Sequence, residues 1–398
     1  MKTNIGVFFG GRSTEHEISV ISASQAMHAI NRDKYDVTPI YITKQGLWYT
    51  GDALMDVKNY KHIDDLLKQC TRVYMRPEFG DYNLYKEKKP LFGSDVLTHL
   101  DVVIPVLHGS NGEDGTFEGV LDTIGIPYAG CSTLAAANGM DKITMKMILA
   151  ADGVPVVDYV WFTDKQWFKQ KDELIEKVEQ KLGYPVIVKP ANLGSSVGIG
   201  KAANREELVD CIDDAEKYST RIIVEDMVED LQEINCSVLG DCDDYETSVL
   251  EQPIAAGDFL SYEDKYMGGG KSSKGAKGMQ AAQKRFPADL PEDVTKRIQF
   301  LAGETFRVLS CHGVARVDVM IDGKSGNIYV NEINTIPGSL SFYLWENKGH
   351  GISFSELMDR LVQLAIKRHR EQANKTTTYD QNIFALNPAG IKGAKGTK

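Results

Sequence analysis

The stretch from Arg316 to Gly338, RVDVMIDGKSGNIYVNEINTIPG, limits this chain to few folds. Two alternating runs, 316–321 and 328–334, flank the turn-rich segment 322–327, which is the pattern of a β-hairpin. Side chains alternate with period two along a strand. Val317, Val319, Ile321, Tyr329 and Ile333 therefore share an apolar face, and Arg316, Asp318, Glu332 and Asn334 share a polar one. Pairing Asp322 with Ile328 sets Asp318 opposite Glu332 and Arg316 opposite Asn334. Two carboxylates directly opposite each other repel. The residues alone leave two accounts of that face. It is a solvated edge, or it holds a hard cation such as Mg²⁺, which takes oxygen ligands and keeps water or substrate phosphates beside them.

A chain of 398 residues has material for two or three domains. Its net charge of −11 argues against a nucleic-acid protein. Apolar runs are too short to span a bilayer. The N-terminus reads as a first strand instead of a signal peptide. Cys70, Cys131, Cys211, Cys236, Cys242 and Cys311 lack paired metal-ligand spacing and suggest reduced thiols in a cytoplasmic protein.

Read in order, 4–9 is a strand, Gly10-Gly11 a turn, and Glu15 to Ile30 a helix. Thr14 is expected as its N-cap, with Glu17 completing a capping box. Glu15 then sits at a strand-to-helix turn, as either a first-turn acid or a ligand group. Segment 36–43 is another strand, 51–99 resists organisation, and 101–107 is a buried strand. That strand ends in the loop His108 to Gly115, which carries His108, Glu113 and Asp114. A helix over 116–124 follows, so a parallel sheet with function at strand C-terminal ends is expected. A second domain opens with Asn138-Gly-Met-Asp-Lys142 and a helix to about Gly153. Strand 184–190 carries Lys189 into the serine- and glycine-rich loop of Gly194, Ser195, Ser196 and Gly198. That loop suits phosphate, or it is a plain hairpin turn. Strand 221–225 ends at Glu225, followed by Met227, Val228 and Glu233 in hinge-like positions. Segments 235–239 and 246–250 pair as a hairpin. Segment 258–287, rich in glycine and lysine and including Lys265 and Tyr266, reads as a lid. A helix over 291–310 leads into the first hairpin, a last helix covers 353–371, and a polar tail follows.

Taken together, Gly10 to Ser19, His108 to Gly115, Met140 to Lys142, Val188 to Gly198, Tyr262 to Tyr266 and Arg316 to Gly338 resemble D-alanine–D-alanine ligases of the ATP-grasp superfamily, in that family's order. The resemblance implies a three-domain α/β and α+β ATP-grasp fold. Its parts are an N-terminal Rossmann-like domain (1–137), a central domain (138–228), a C-terminal domain (229–372) bearing the lid, and a tail (373–398). It implies ATP and two Mg²⁺ ions, with Mn²⁺ as a substitute, and a cytoplasmic homodimer acting on D-alanine through a D-alanyl phosphate. By position, Asp318, Glu332 and Asn334 resemble the metal ligands. Arg316 and the Gly338 amide resemble the oxyanion donors. Glu15, Ser195 and Tyr266 resemble the group that orients the first amino acid. Lys142, Lys189, Ser196 and Lys265 resemble phosphate contacts. Glu225, Met227, Val228 and Glu233 resemble the adenosine site, and His108 the histidine beside the first D-alanine.

The chain departs from the family in its longer, more basic lid. It also departs at Tyr343, which falls where a serine holds the acceptor carboxylate; Ser341 is the alternative. The same chemistry with D-serine, D-lactate or another acceptor is therefore the closest rival. A non-catalytic nucleotide-binding regulator is a rival of another class. Loop spacings fit neither a P-loop ATPase nor a Rossmann dehydrogenase.

Overall fold

The computed structural model describes residues 2–194, 197–254, 283–346 and 351–378. Ser195, Ser196, Lys265, Tyr266 and most of the lid and tail expectations lie outside them. Among the described residues no helix is long and apolar enough to cross a membrane.

The first part of the chain builds β1 (Thr3–Gly10), α1 (His16–Ala29), β2 (Tyr35–Ile42), β3 (Trp48–Thr50), α2 (Ile63–Lys68), β4 (Thr71–Met75), β5 (Asn83–Lys86), β6 (Val96–His99), β7 (Val102–Val106) and α3 (Thr116–Ile124). They form a seven-stranded sheet in the order β6-β5-β4-β3-β2-β1-β7. Only β2, β1 and β7 are parallel. The other strands form an antiparallel extension, to which segment 51–99 supplies β4, β5 and β6. Alternation along β1 sends Ile5, Val7 and Phe9 into one core and Phe8 into another. The first core is closed by α1 and by the last described helix, through Leu357, Leu361 and Ala365. β1 ends at the switch between its two neighbours, where Gly10 has φ +91° and a Cβ would stand 2.3 Å from the Ile42 carbonyl oxygen. Only glycine fits there.

The expected helix over 138–152 is two helices, α4 (Thr133–Met140) and α5 (Lys142–Ala151). Asp141 divides them, capping α5 by accepting from the Thr144 amide at 2.8 Å. Next come β8 (Tyr159–Thr163), α6 (Asp164–Lys181), β9 (Val186–Pro190), β10 (Gly200–Ala202), α7 (Arg205–Ala215) and β11 (Arg221–Asp226), with an antiparallel sheet in the order β10-β9-β11-β8. The serine-rich loop thus does join two antiparallel strands. The third sheet, β14-β13-β12-β15-β16, comprises β12 (Gln232–Gly240), β13 (Tyr245–Ile254), β14 (Gln283–Arg285), β15 (Gly313–Ile321) and β16 (Ile328–Asn334). Helix α8 (Glu292–Val308) covers one face, and Met145 and Leu149 of α5 join the same core. After β16 come a 3₁₀ turn (Gly338–Ser341), α9 (Phe342–Trp345) and α10 (Phe354–Ala373).

The expected capping box at Thr14 and Glu17 does not form. Glu15 is the N-cap residue of α1, and its side chain makes no capping bond. Glu17 is exposed and pairs with Lys44 at 2.5 Å, so a nearby cation draws it away from the helix end.

Candidate active site

The β15–β16 hairpin forms one wall. Arg316 pairs with Asn334 and Asp318 with Glu332, as the alternation requires. The turn does not follow the assumed register, because Ile321, not Asp322, pairs with Ile328. A bulge past Asp318 takes up one residue of β16 and restores the carboxylate pair. The bulge also corrects the face assignment. Val330 joins Val317, Val319, Ile321 and Ile333 in the core, while Tyr329 turns to the other side beside Met320.

The repulsion between the opposed acids is answered by fixed cations. Arg316 holds both oxygens of Asp318, Nε at 2.7 Å and Nη2 at 2.8 Å. The Asn334 amide donates to Asp318 at 3.1 Å. Lys142 Nζ lies 3.0 Å from Glu332. Burial would lower the Lys142 ammonium, but Glu332 outweighs it and the pKa is raised. Arg316 is likewise raised, its burial offset by Asp318. Both stay charged.

A second cluster faces this wall. Lys142 opens α5, its amide donating to the Ala191 carbonyl and its Nζ to that of Leu193. One turn along the same face of α5 stands Lys146, fully buried. Its ammonium lies 3.2 Å from Glu225 Oε1 at the end of β11, and Lys189 Nζ on β9 lies 2.6 Å from Glu225 Oε2. Lys189 also donates to the bulged Asn331 at 3.2 Å, which ties the second sheet to the third. Burial alone would raise the Glu225 carboxyl, but Lys146 and Lys189 together bring it down to about 2.

Between the walls lies a cavity of about 390 Å³. Lys142, Lys189, Glu225, Met227, Val228, Glu233, Arg316, Asp318 and Glu332 all line it, with Asn334 attached through Asp318. The sequence reading missed Asn331, Lys146, Leu231 and Met320. Spacing signalled only one of them, since Lys146 lies four residues from Lys142 on one helix.

A smaller buried group adjoins Arg316. His108 Nδ1 is 2.9 Å from the Ile336 carbonyl, which only accepts, so Nδ1 carries the proton. Nε2 then accepts from Ser22 Oγ at 2.9 Å, and Ser22 Oγ accepts from the Ser339 amide at 2.9 Å. Burial lowers the imidazole pKa, as this neutral tautomer requires. The ring and Ser22 thereby fix the segment that contains Gly338. Glu113 accepts from the amides of Gly109 at 2.8 Å and Ile336 at 3.2 Å. Burial, reinforced by Glu15, pushes its carboxyl up to about 8. Glu15 is buried, with its Oε2 against the backbones of Gly109 and Gly194. Ser341 is buried in the 3₁₀ turn, and its Oγ meets no partner among the described residues. The Tyr343 hydroxyl donates to Glu251 at 3.0 Å, and burial followed by that carboxylate raises its pKa.

The donor chemistry suits a hard divalent cation. Two opposed carboxylates and an amide two residues on face a cleft lined by lysines. Among the described residues no three His, Cys, Asp or Glu side chains gather, so phosphate oxygens and water would complete such a shell.

Comparison with known proteins adds an independent line. The family model described as D-ala D-ala ligase N-terminus matches residues 4–131, and that described as D-ala D-ala ligase C-terminus matches 148–363. A D-alanine–D-alanine ligase of Thermosipho melanesiensis is 37% identical over 384 residues, 96% of this chain and 98% of that one. The Heliobacterium modesticaldum enzyme of the same name is 40% identical over 95% of this chain and 98% of its own. Among solved structures, the D-alanine–D-alanine ligase from Coxiella burnetii superposes with a TM-score of 0.75 at 30% identity, covering 94% of this chain and 96% of that one. The VanG D-Ala:D-Ser ligase from Enterococcus faecalis gives 0.76 at 32%, covering 92% and 100%.

Proposed function

We propose residue roles from one premise: this chain belongs to the D-alanine–D-alanine ligase family. It has the ATP-grasp fold and joins two D-alanine molecules to D-alanyl-D-alanine at the expense of ATP, a step of peptidoglycan synthesis. The observation that carries the roles is the convergence of Lys142, Lys189, Arg316 and the Asp318–Glu332 pair on one cleft.

The adenosine lies along Met227 and Val228, with Glu225 and Glu233 nearby. Lys142 and Lys189 meet its phosphates, and Ser196 and Lys265 complete that contact. The first D-alanine lies between Glu15 and His108, with Ser195 and Tyr266 as further residues assigned to orienting it. Its carboxylate attacks the terminal phosphorus of ATP and ADP leaves, giving D-alanyl phosphate. The amine of the second D-alanine attacks the acyl carbon, and the carbonyl electron pair moves onto oxygen. Arg316 and the Gly338 amide stabilise that oxyanion, where preorganised donors contribute most. Collapse expels phosphate and forms the amide bond. The acceptor lies toward Ser341 and Tyr343. Asp318, Glu332 and Asn334 would hold Mg²⁺, two ions in this reading, with Mn²⁺ able to substitute; the metal would neutralise phosphate charge. A cytoplasmic homodimer is part of the same proposal, and sedimentation would measure its mass.

The test is ADP release with MgATP and D-alanine as the sole amino acid, with the product weighed by mass spectrometry. ADP together with a D-alanyl-D-alanine mass is expected. ADP only after adding D-serine or D-lactate would overturn the acceptor assignment.

A further inference from the structure

We infer that Lys146 is a positioning residue for nucleotide binding: it holds Glu225 so that Lys189 is free to leave that carboxylate for a phosphate. This rests on the reading of Lys189 as a phosphate contact.

Glu225 is shared between two ammonium groups of different standing. Lys189 lines the cavity and has a second bond, to Asn331 on the facing hairpin. Lys146 is sealed, with no exposed surface and, among the described residues, Glu225 as its one ion-pair partner. A fully buried lysine is rare unless paired, and its stem gains nothing that methionine would not supply. The arrangement is explained by what happens when Lys189 turns to an incoming anion. Without Lys146 that movement would leave a buried carboxylate with no ion-paired cation among the described residues, only the more distant charge of Lys142, which is strongly unfavourable. With Lys146 in place the carboxylate keeps its partner throughout. In this structure both ammoniums contact Glu225, and both draw its carboxyl down, while burial lowers Lys146 itself.

Helix α5 makes this possible. Lys142 reaches Glu332 on the third sheet, and Lys146, one turn on, reaches Glu225 on the second. The helix is held by Met145 and Leu149 in the third sheet's core and by Ile143 beside Ala191 and Ile223. One rigid element therefore supplies a countercharge to each wall of the cleft.

The test is calorimetric titration of MgADP into the full-length Lys146→Met, Glu225→Gln, Lys146→Met/Glu225→Gln and Lys189→Met proteins, with steady-state kinetics alongside. Lys146→Met should weaken MgADP binding and raise the KM for ATP about tenfold or more, with a smaller fall in kcat at saturating ATP. The double variant should bind MgADP as well as Glu225→Gln alone, since a neutral amide needs no countercharge. Should Lys146→Met alone fail to fold, weaker binding by the double variant than by Glu225→Gln would overturn the inference. Wild-type affinity in Lys146→Met would overturn it too, leaving a space-filling side chain. If Lys189→Met also binds at wild-type strength, the phosphate reading of Lys189 falls. If Lys189→Met is weakened while Lys146→Met is not, only the role of Lys146 falls.

Discussion

Replacing Glu225 by glutamine removes the carboxylate that two buried lysines share. The cost can be worked from the site. Burial opposed by Lys146 and Lys189 sets the carboxyl at about 2 against an ordinary 4.5, and at about 1.4 kcal/mol per pH unit that difference is about 3 kcal/mol of native-state stabilisation at neutral pH. Breaking a buried ion pair typically costs about 3–5 kcal/mol, which agrees. The sign follows from linkage. A carboxyl depressed in the folded state contributes fully above 4.5 and loses that contribution as pH falls through about 2. The difference between wild type and Glu225→Gln should therefore shrink to about 2 kcal/mol at pH 3.5. Urea denaturation at pH 7 and pH 3.5, fitted to separate midpoints and slopes, measures both. A variant within about 1 kcal/mol of wild type at pH 7 would refute the reasoning. So would a difference that ignores pH, since packing loss alone does not titrate in that range.

Three further outcomes follow from the same geometry. Glu332→Gln removes one of the two opposed carboxylates and should cut kcat about 100-fold or more at limiting Mg²⁺, with partial recovery at high Mg²⁺; normal turnover at limiting Mg²⁺ would remove Glu332 from the metal site. Ser22→Ala removes the hydroxyl that links the Ser339 amide to His108 Nε2, and at about 1–3 kcal/mol should raise the KM for D-alanine with little change for ATP. Gly10→Ala should destabilise the fold by at least about 2 kcal/mol in the same urea assay, because φ is +91° and the new Cβ would meet Ile42 oxygen.

Much of this was legible in the sequence because it depends on alternation and spacing. The opposition of Asp318 and Glu332 follows from period two, and α3 from its turn signals. The opposition was nevertheless reached through a turn register one residue off. The bulge at Asn331 offset it, and a one-residue insertion leaves no mark on an alternating pattern except at Val330 and Tyr329, which exchange faces. The extension β3 to β6 was illegible because its strands are short and half-exposed, so neither face is apolar enough to show a period. Ser22 looked like any helix residue. Its role appears only when the chain brings His108 and Ser339 to it across 86 and 317 residues. Lys146 was hidden because a charged residue on a helix usually faces water, and here both sheets close over it. The capping box failed for the opposite reason: the local pattern was present, but Lys44, 27 residues on, competed for Glu17.

The central claim is that the donor carboxylate becomes an acyl phosphate, and that Arg316 and the Gly338 amide meet the oxyanion formed when the amine adds to it. The most direct measurement starts from D-alanine carrying ¹⁸O in both carboxylate oxygens, with MgATP, and follows the isotope in the inorganic phosphate by mass spectrometry. The account predicts one ¹⁸O per phosphate for each D-alanyl-D-alanine formed, because the oxygen that attacks phosphorus leaves with it. Phosphate free of label alongside labelled dipeptide would contradict it.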